Sequence, residues 1–369
     1  MSIAISGSSI TFPDQTQMST ATGGSFRNRI INGDMRIDQR NAGASVSFNS
    51  SSNLAVDRFK TYNTVGSGST VQRSTTASAG FNNSMLFTVG TGASPGAADE
   101  CRFFQAIEGF NVSDLGFGTA SAATVTISFR VRSSITGTYA LNLRNDAGNR
   151  SYVATYTIDA ANTWETKTVT IAGDTSGTWA TNNSTGILLQ FDLGSGSNAN
   201  TTAGAWQAGN FGRTSACVNW IATNGATFYI TGVQLEQGST ATEFERRPIG
   251  TELALCQRYY YRQTKTSTAS GVASAFAMLQ LWSNAWHSLI QFPVTLRSAP
   301  SFESSAAATF FYHCGGVANA ALTSINISGS NGDSARLEGG TTYSATQGLS
   351  GQLAMANSST AFLGFSAEL

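Results

Sequence analysis

The chain has 369 residues, enough for two or three domains, and 41% of them are hydrophobic, ample for packed cores. Only 11% are charged, 21 basic against 21 acidic, where an ordinary soluble protein carries about 25%. A neutral surface of Ser, Thr, Asn, Gly and Gln leaves no electrostatic footprint for nucleic acid, and no run of about twenty apolar residues is present to span a membrane.

Residues 1–25 are too polar to form a domain. They hold one short strand candidate, Ser9 to Phe12, among turn formers, so the segment is expected to order only against sister copies or a larger assembly and to serve attachment. Its start is neither basic nor followed by a long apolar core, so no signal peptide is expected. In residues 26–60, Ile30-Ile31 leads into Asn32-Gly33, a pair favoured where the backbone turns with positive φ. Met35 and Ile37 then alternate with Arg36 and Asp38. Asp57 beside Arg58 invites a special role in a chain so poor in charge. The plainer reading has the carboxylate bonding to backbone amides while its neighbour covers a sheet edge.

Residues 61–235 carry the clearest strand signals. In 124–131, Val125, Ile127, Phe129 and Val131 share one face and polar residues the other. Period-two runs recur at Met85, Phe87 and Val89, at Tyr139, Leu141 and Leu143, at Val169 and Ile171, at Ile187 to Leu193, and at Phe228 and Ile230. Each reads as one dry and one wet face, and turn-rich segments separate them, so a two-sheet jelly-roll sandwich over residues 26–240 is predicted.

The stretch Phe228 to Tyr261 organises the rest. Its alternation changes phase at Thr231-Gly232, so that Val233 and Leu235 take over, which predicts a β-bulge. A polar linker and a short helix follow within 241–262, with Thr251 as a cap and Glu252 in the first turn. Leu253, Cys256 and Tyr260 make a side apolar enough to need a partner. Residues 263–369 read as a small β-rich C-terminal head, with Leu279, Leu281, Trp286, Leu289, Phe292, Phe310 and Phe311 for its core. The fold class is therefore all-β.

Chemistry is sparse. No glycine-rich loop joins a strand to a helix, so no nucleotide or other cofactor is expected. His287 and His313 lack ligand-spaced neighbours. Glu236, Glu243 and Glu245 read as partners of Arg246, Arg247 or Arg258, although a glycosidase-type acid pair from distant segments stays open. Calcium at Asp57, Asp99 or Asp114 also stays open, with no EF-hand loop to support it, and no metal site is assigned. Cys101, Cys217, Cys256 and Cys314 form no CxxC pair and read as free buried thiols, the alternative being a Cys101–Cys217 disulfide. Binding has more support. Trp164, Trp179, Trp206, Trp282 and Trp286 lie in or beside polar stretches and could stack on sugar faces; the alternative is that they plug sandwich ends.

Four stretches resemble fibre, appendage and receptor-binding proteins of tailed bacteriophages. ITFPDQTQMSTA (10–21) is similar to the phrase ITFPDGTTQSTA near their starts and joints. RNRIINGDMRIDQRNAG with LAVDRFK (27–43 and 54–60) resembles the opening of a jelly-roll domain, with Phe59 where Trp is usual and Asn41 where Gly is common. GVQLEQGSTATEFERRPIGTELALCQRYYYR (232–262) resembles the strand that closes that domain and the helix after it, and FPVTLRSAPSF (292–302) resembles the start of a C-terminal head. The resemblance implies a homotrimeric, non-enzymatic virion fibre, made in the host cytoplasm, joined to other virion proteins through its N-terminus and meeting a bacterial surface glycan or outer-membrane receptor. Leu253, Cys256, Gln257, Arg258 and Tyr260 would then pack about the threefold axis. The rivals are a secreted carbohydrate-binding module and a capsid-decorating fibre without a receptor role.

Overall fold

The computed structural model describes residues 4–6, 9–11, 17–19, 26–50, 53–264, 275–282, 285–307, 310–314, 317–341, 350–355 and 361–369. Of these, the three N-terminal stretches and residues 53, 275–282, 285, 311–314, 317–320, 352 and 354 are described by their backbone. Ala4–Ser6 (β1), Ser9–Thr11 (β2) and Gln17–Ser19 (β3) pair in sequence. Then come Val46–Ser47 (β4), Asn53–Val56 (β5), Phe59–Asn63 (β6), Thr70–Ser74 (β7), Ser84–Thr88 (β8), Cys101–Glu108 (β9) and Val125–Ser133 (β10). Gly137–Arg144 (β11), Ser151–Ile158 (β12), Glu165–Ile171 (β13), Thr185–Asp192 (β14), Trp206–Gln207 (β15) and Thr227–Gln237 (β16) complete two antiparallel sheets. One has six strands, in the order β13-β10-β16-β8-β7-β4, and the other seven, in the order β15-β12-β11-β14-β9-β6-β5. The chain is all-β as read, in a jelly-roll type of sandwich.

The inner faces of the sheets meet in one core. Val125, Ile127, Phe129 and Val131 of β10 all point into it, as their alternation requires. Phe103 stacks on Phe191 at 4.8 Å between ring centres, and Phe87 and Phe129 approach the same pair at 4.8 and 5.2 Å. Such pairs add about 0.5–1.5 kcal/mol each beyond their buried area. The bulge lies where the phase change puts it: Ser128 faces Gln234 and Arg130 faces Thr231, so Gly232 and Val233 oppose Phe129 alone. Gly232 supplies the φ of +62° that this geometry asks for.

One expectation needs correction. All eight residues of β14 are buried, so this strand has no wet face. The segment between β14 and β16 folds back over the outside of the seven-stranded sheet, where Cys217 packs with Ala140 and Val153, and with Ala203 and Phe211 at the margin. The same covering explains why β12 escapes a period-two reading, since Val153 is apolar on the outer face as well; on β9 Phe104 and Ala106 also break the alternation. Cys101, Cys217 and Cys256 are free, buried thiols, and the Cys314 side chain lies outside the described residues.

After β16, the linker leads to a helix, Ile249–Gln257 (α1), that begins two residues before Thr251, behind Pro248. Pro suits that position because its φ is preset and the first helical N–H groups have no partner in any case. Glu252 of the first turn accepts the Asn32 N–H at 2.5 Å, and Arg247 bridges Glu252 (3.4 Å) to the Ile30 carbonyl (3.2 Å). Asn32, at φ +59°, uses its amide to accept from Ile37 N–H and to donate to the Ile37 and Asp57 carbonyls. The Asn-Gly pair thus turns the chain as predicted. Gly33 is required by crowding: a Cβ there would run into the Val233 carbonyl oxygen at the bulge, whose N–H already bonds to Gly33 O at 2.9 Å. Gly33→Ala is expected to lower stability by about 1–3 kcal/mol, as overpacking does, read from the shift in urea midpoint at unchanged slope.

Two of the residues assigned to an intersubunit contact, Cys256 and Tyr260, are covered by the chain itself, while Leu253, Gln257 and Arg258 stay part-buried. Cys256 and Tyr260 are fully buried within one chain, and Leu253 packs beside Ile31, Ile37, Cys256 and Tyr259. Arg258 forks onto Glu108 at 2.6 and 2.9 Å, and Gln257 is half-buried at the helix end. The apolar side finds its partner in the chain's own sandwich.

Beyond it, Tyr260–Thr264 (β17), Ser301–Ser304 (β20) and Phe362–Ser366 (β25) form a three-stranded sheet in the order β17-β25-β20. Ala275–Trp282 (β18), Ala285–Gln291 (β19), Phe310–Cys314 (β21), Val317–Ser330 (β22), Ser334–Thr341 (β23) and Ser350–Met355 (β24) close into a barrel, β18-β19-β23-β22-β21-β24. Trp286, Ile290, Phe310, Leu337 and Leu353 fill its core with Phe292 at the margin, whereas Leu289 points outward with 59% of its surface exposed and is not a core residue. Leu279, Leu281 and Phe311 have side chains outside the described residues.

Candidate functional site

The outer face of the seven-stranded sheet offers Arg102 and Phe104 from β9, Leu188, Gln190 and Asp192 from β14, and Ala140, Asn142 and Arg144 from β11. The register sets Gln190 between Phe104 and Asn142, and Asp192 between Arg102 and Ala140. Over one part of this face the excursion between β14 and β16 packs dry, as described above. Over the rest it leaves a cavity of about 230 Å³.

The excursion is pinned by one buried ion pair. Asp192 accepts the N–H groups of Gly194 and Ser195 at 3.0 and 3.1 Å and faces Arg213 at 3.5 Å. Arg213 donates to the Ser195 and Cys217 carbonyls. Burial pushes the Asp192 carboxyl up, against the pull of Arg213. The two groups tie the start of the excursion to the segment around Cys217, and Arg213 keeps its Nε without a partner among the described residues.

What faces the cavity is uncharged or already paired. Asn142, 1% exposed, donates its Nδ2 to the Phe211 carbonyl at 2.6 Å, which fixes the amide and leaves Oδ1 with no partner among the described residues. Gln190, 3% exposed, has neither Oε1 nor Nε2 paired. Arg102 pairs with Glu100 at 2.6 Å and keeps its Nε unpaired. Asp99 accepts from Thr64 Oγ1 at 2.9 Å and Gly96 N–H at 2.7 Å. Arg144 donates to Asn210 Oδ1 at 2.9 Å, and burial, then Arg102, lowers its affinity for its proton. A buried polar group without a partner costs about 1–3 kcal/mol, and these three amide atoms are sealed within the cavity wall, while the lining also includes the polar side chains Asn198 and Asn210.

The tryptophans named from sequence fall elsewhere. Trp179 and Trp206 meet at 5.4 Å, with Phe117 edge-on to both and Tyr152 against Trp206. Their indole N–H groups donate to Ser176 O and Ala172 O. This cluster closes an end of the sandwich, and Trp179, 9% exposed, has no face for a sugar. Trp286 is fully buried in the barrel and cannot serve as a stacking platform either. Trp164 is half-buried, edge-on to Tyr229 at 6.0 Å, while Arg132 stands over the Tyr229 ring at 5.0 Å. The Trp282 side chain lies outside the described residues. Sequence reasoning missed Gln190, Asn142 and Arg102, because each sits at a position its strand presents as wet. The available signal was the pairing of Asp192 with a lone Arg213 in a charge-poor excursion.

The ion-pair partners read for the linker hold in part: Glu245 faces Arg247 at 3.4 Å and also accepts the N–H groups of Phe26, Arg27 and Asn28, whereas Arg258 goes to Glu108. Asp57 bonds to the Gln39 N–H at 3.0 Å, as the plainer reading has it, but Arg58 is 2% exposed and sits inside the protein.

No family model and no curated protein matches the sequence. Among solved structures, the chain is similar to the enzymatically active domain of tailspike protein 4 of bacteriophage CBA120, at 12% identity and a TM-score of 0.32 over 57% of this chain and 22% of that one. It is also similar to a xylan-binding domain of Paenibacillus barcinonensis, at 13% identity and TM-score 0.25 over 55% of this chain and 99% of that one. A family 11 carbohydrate-binding module of Clostridium thermocellum, solved with a β-1,3-1,4-mixed-linked tetrasaccharide, aligns at 14% identity and TM-score 0.26 over 55% and 99%. The chain therefore spans about a fifth of the tailspike chain. At these scores the likenesses decide nothing, and the architecture stands on its own strand pairing.

Proposed function

We propose that the chain is a non-enzymatic attachment protein of a bacteriophage particle that holds a bacterial surface glycan in the cavity beneath the β14–β16 excursion. The observation that carries the reading is the polar lining of that cavity, where the amide residues Asn142, Gln190, Asn198 and Asn210 lie beside Asp99 and Arg102. Hydroxyl-rich ligands replace water at such groups bond for bond. The virion half of the reading is supported by the sequence stretches that resemble phage fibre proteins, at 10–21, 27–43 with 54–60, 232–262 and 292–302. A cavity this small makes a weak site, so a trimer with three copies would act by avidity. Of the residues first assigned to the trimer contact, Cys256 and Tyr260 are buried within the chain, which leaves the part-buried Leu253, Gln257 and Arg258 for such a contact.

The test is a bacterial glycan array probed with the purified full chain, together with light scattering behind size exclusion. The expected results are glycan binding, a mass near three times 38.6 kDa, and blocked adsorption of the phage when the protein is added to host cells. A monomer that still binds glycans would favour a carbohydrate-binding module instead. Shortening of a bound polysaccharide would overturn the non-enzymatic reading.

A further inference from the structure

The outer face of the six-stranded sheet gathers positive charge and aromatic rings. Phe129 and Val131 of β10 point into the core, so Arg130 and Arg132 point outward, roughly 7 Å apart along the strand. Arg130 faces Thr166 of β13 and Thr231 of β16, and Arg132 faces Tyr229, which has Leu86 of β8 on its other side. Trp164, just before β13, meets the Tyr229 ring at 6.0 Å, and Arg132 lies 5.0 Å over that ring. Arg132 uses only its Nε within the protein, donating to the Asn162 carbonyl at 2.9 Å. Arg130 has no hydrogen bond, ion pair or ring contact among the described residues, and none of its nitrogens is sealed from solvent. The two guanidinium groups therefore offer their donors outward.

Nothing on the open part of this face neutralises them. Among the described residues, the outward positions of β7, β8, β10, β13 and β16 up to Thr231 hold no acidic side chain. Asp159 and Glu165, at the sheet edge, share Lys167 at 3.0 and 2.5 Å. Glu236, outward at the far end of β16, is 3% exposed and accepts the Thr242 N–H and hydroxyl. An arginine fork matches a carboxylate, the exposed Thr166 and Thr168 offer hydroxyls to bond with those of a sugar, and an indole beside a phenol offers apolar surface to a sugar ring. Nucleic acid asks for a longer basic stripe than two arginines in a chain of zero net charge.

We propose that this face is a second binding surface that takes an acidic polysaccharide, with Arg130 and Arg132 holding uronate carboxylates and the sugar packing beside Trp164 and Tyr229. It lies on the sheet that does not line the cavity, so the two readings stand or fall separately. Because Arg130 bonds to nothing in the protein, Arg130→Gln should fold as the parent does. It should bind the uronate about tenfold more weakly, as the loss of a charged hydrogen-bonding partner predicts.

The experiment is calorimetry on the full chain with oligosaccharides of galacturonic, glucuronic and mannuronic acid and with the same oligosaccharides after reduction of their carboxyl groups. It is run at low and high salt for the wild type, Arg130→Gln and Trp164→Ala, with a single-stranded DNA oligonucleotide as a second polyanion. The expected result is that at least one acidic oligosaccharide binds at least tenfold more tightly than its reduced form and that salt erodes the difference. Arg130→Gln should lose affinity for the acidic form alone at an unchanged melting temperature, and Trp164→Ala should weaken both forms. Equal binding of acidic and reduced forms, no binding of any acidic oligosaccharide, or an unchanged affinity in Arg130→Gln would overturn the proposal. DNA binding as tight as that of the uronates would overturn the ligand class. A lower solution mass for Arg130→Gln than for the wild type would show instead that the face is a contact between copies of the chain. Loss of neutral-glycan binding at the cavity with the acidic preference intact would remove the cavity reading and uphold this one.

Discussion

Arg58→Ala is expected to lower the free energy of the first unfolding transition by about 3–5 kcal/mol, the range for removing one partner of a buried ion pair. Arg58 lies in the turn between β5 and β6, and its guanidinium donates to the Ala106 carbonyl at 2.6 Å, bonds to Glu368 and lies 3.5 Å over the Tyr259 ring. It therefore ties the sandwich to the segment before the C-terminal head and to Glu368 after β25. Without it, Glu368, its side chain 7% exposed, keeps its charge in a dry site with the more distant Arg40, at 3.4 Å, and the buried Lys60 amine to face. Arg58 also has φ +75°, a left-handed conformation that suits glycine and is about 1–2 kcal/mol unfavourable for other residues. The side-chain contacts hold the backbone there. Arg58→Gly should consequently lose less than Arg58→Ala, by about 1 kcal/mol. Adding Glu368→Gln to Arg58→Ala should recover part of the loss, because the unpaired charge goes with it. Urea unfolding followed by tryptophan fluorescence and by circular dichroism would measure all three. Equal stability of Arg58→Ala and wild type would show that the pair contributes nothing to docking.

The contrast between this pair and the cavity shows what a sequence discloses. Alternation along β10 and the phase change at Gly232 are local facts, and the sandwich and its bulge follow from them. The Asp57-Arg58 turn was conspicuous because charge is scarce, yet its partners, Gln39, Tyr259 and Glu368, come from segments up to about 310 residues away. Leu253, Cys256 and Tyr260 correctly signalled a need for burial, but an apolar face does not say whether its cover is another subunit or the chain itself. Gln190 and Asn142 gave no signal at all. Each occupies an outward position of a strand, and only the fold-back of the excursion, pinned by Asp192 and Arg213, turns outward into buried. Tryptophans drew attention to themselves because indoles stack on sugars, yet the large apolar rings were needed to close the end of the sandwich and the barrel core.

Stability should rise on mild acidification, which is unusual for a folded chain, and Asp57 should account for part of the rise. Burial raises its carboxyl from 3.8 to about 6, with Arg40 and the hydrogen bonds from Gln39 opposing and Glu368 adding to the rise. Around it also lie Arg58, the Lys60 amine, which burial pulls down, and Cys256, which burial pushes up. A carboxyl whose folded pKa exceeds its unfolded one contributes stability that is fully present below the unfolded value and is lost as pH rises through the folded value. A shift of about two units amounts to about 3 kcal/mol in full, of which about 1 kcal/mol falls between pH 7 and 5. Asp34, Asp192 and Glu252 are raised by burial and lean the same way. Glu108 and Glu245 lean the other way. Burial would raise both, but hydrogen bonds from Arg258 and Tyr259 to Glu108, and from three backbone N–H groups to Glu245, outweigh it and hold them low. Their contributions are present above 4.5 and fade as pH falls through their folded values. The unfolding free energy should therefore climb from pH 7 to about 5 and fall again in stronger acid, where those two carboxylates take up protons. In Asp57→Asn the climb should be shallower by about 1 kcal/mol while the acid limb is unchanged. The Asn side chain has one acceptor oxygen where the carboxylate uses two, so it keeps only one of the two Gln39 hydrogen bonds and its stability shifts at every pH; the slope rather than the level is the quantity to compare. A wild-type profile that declines steadily from pH 7 to 5 would show that Asp57 is charged at little cost in the folded protein.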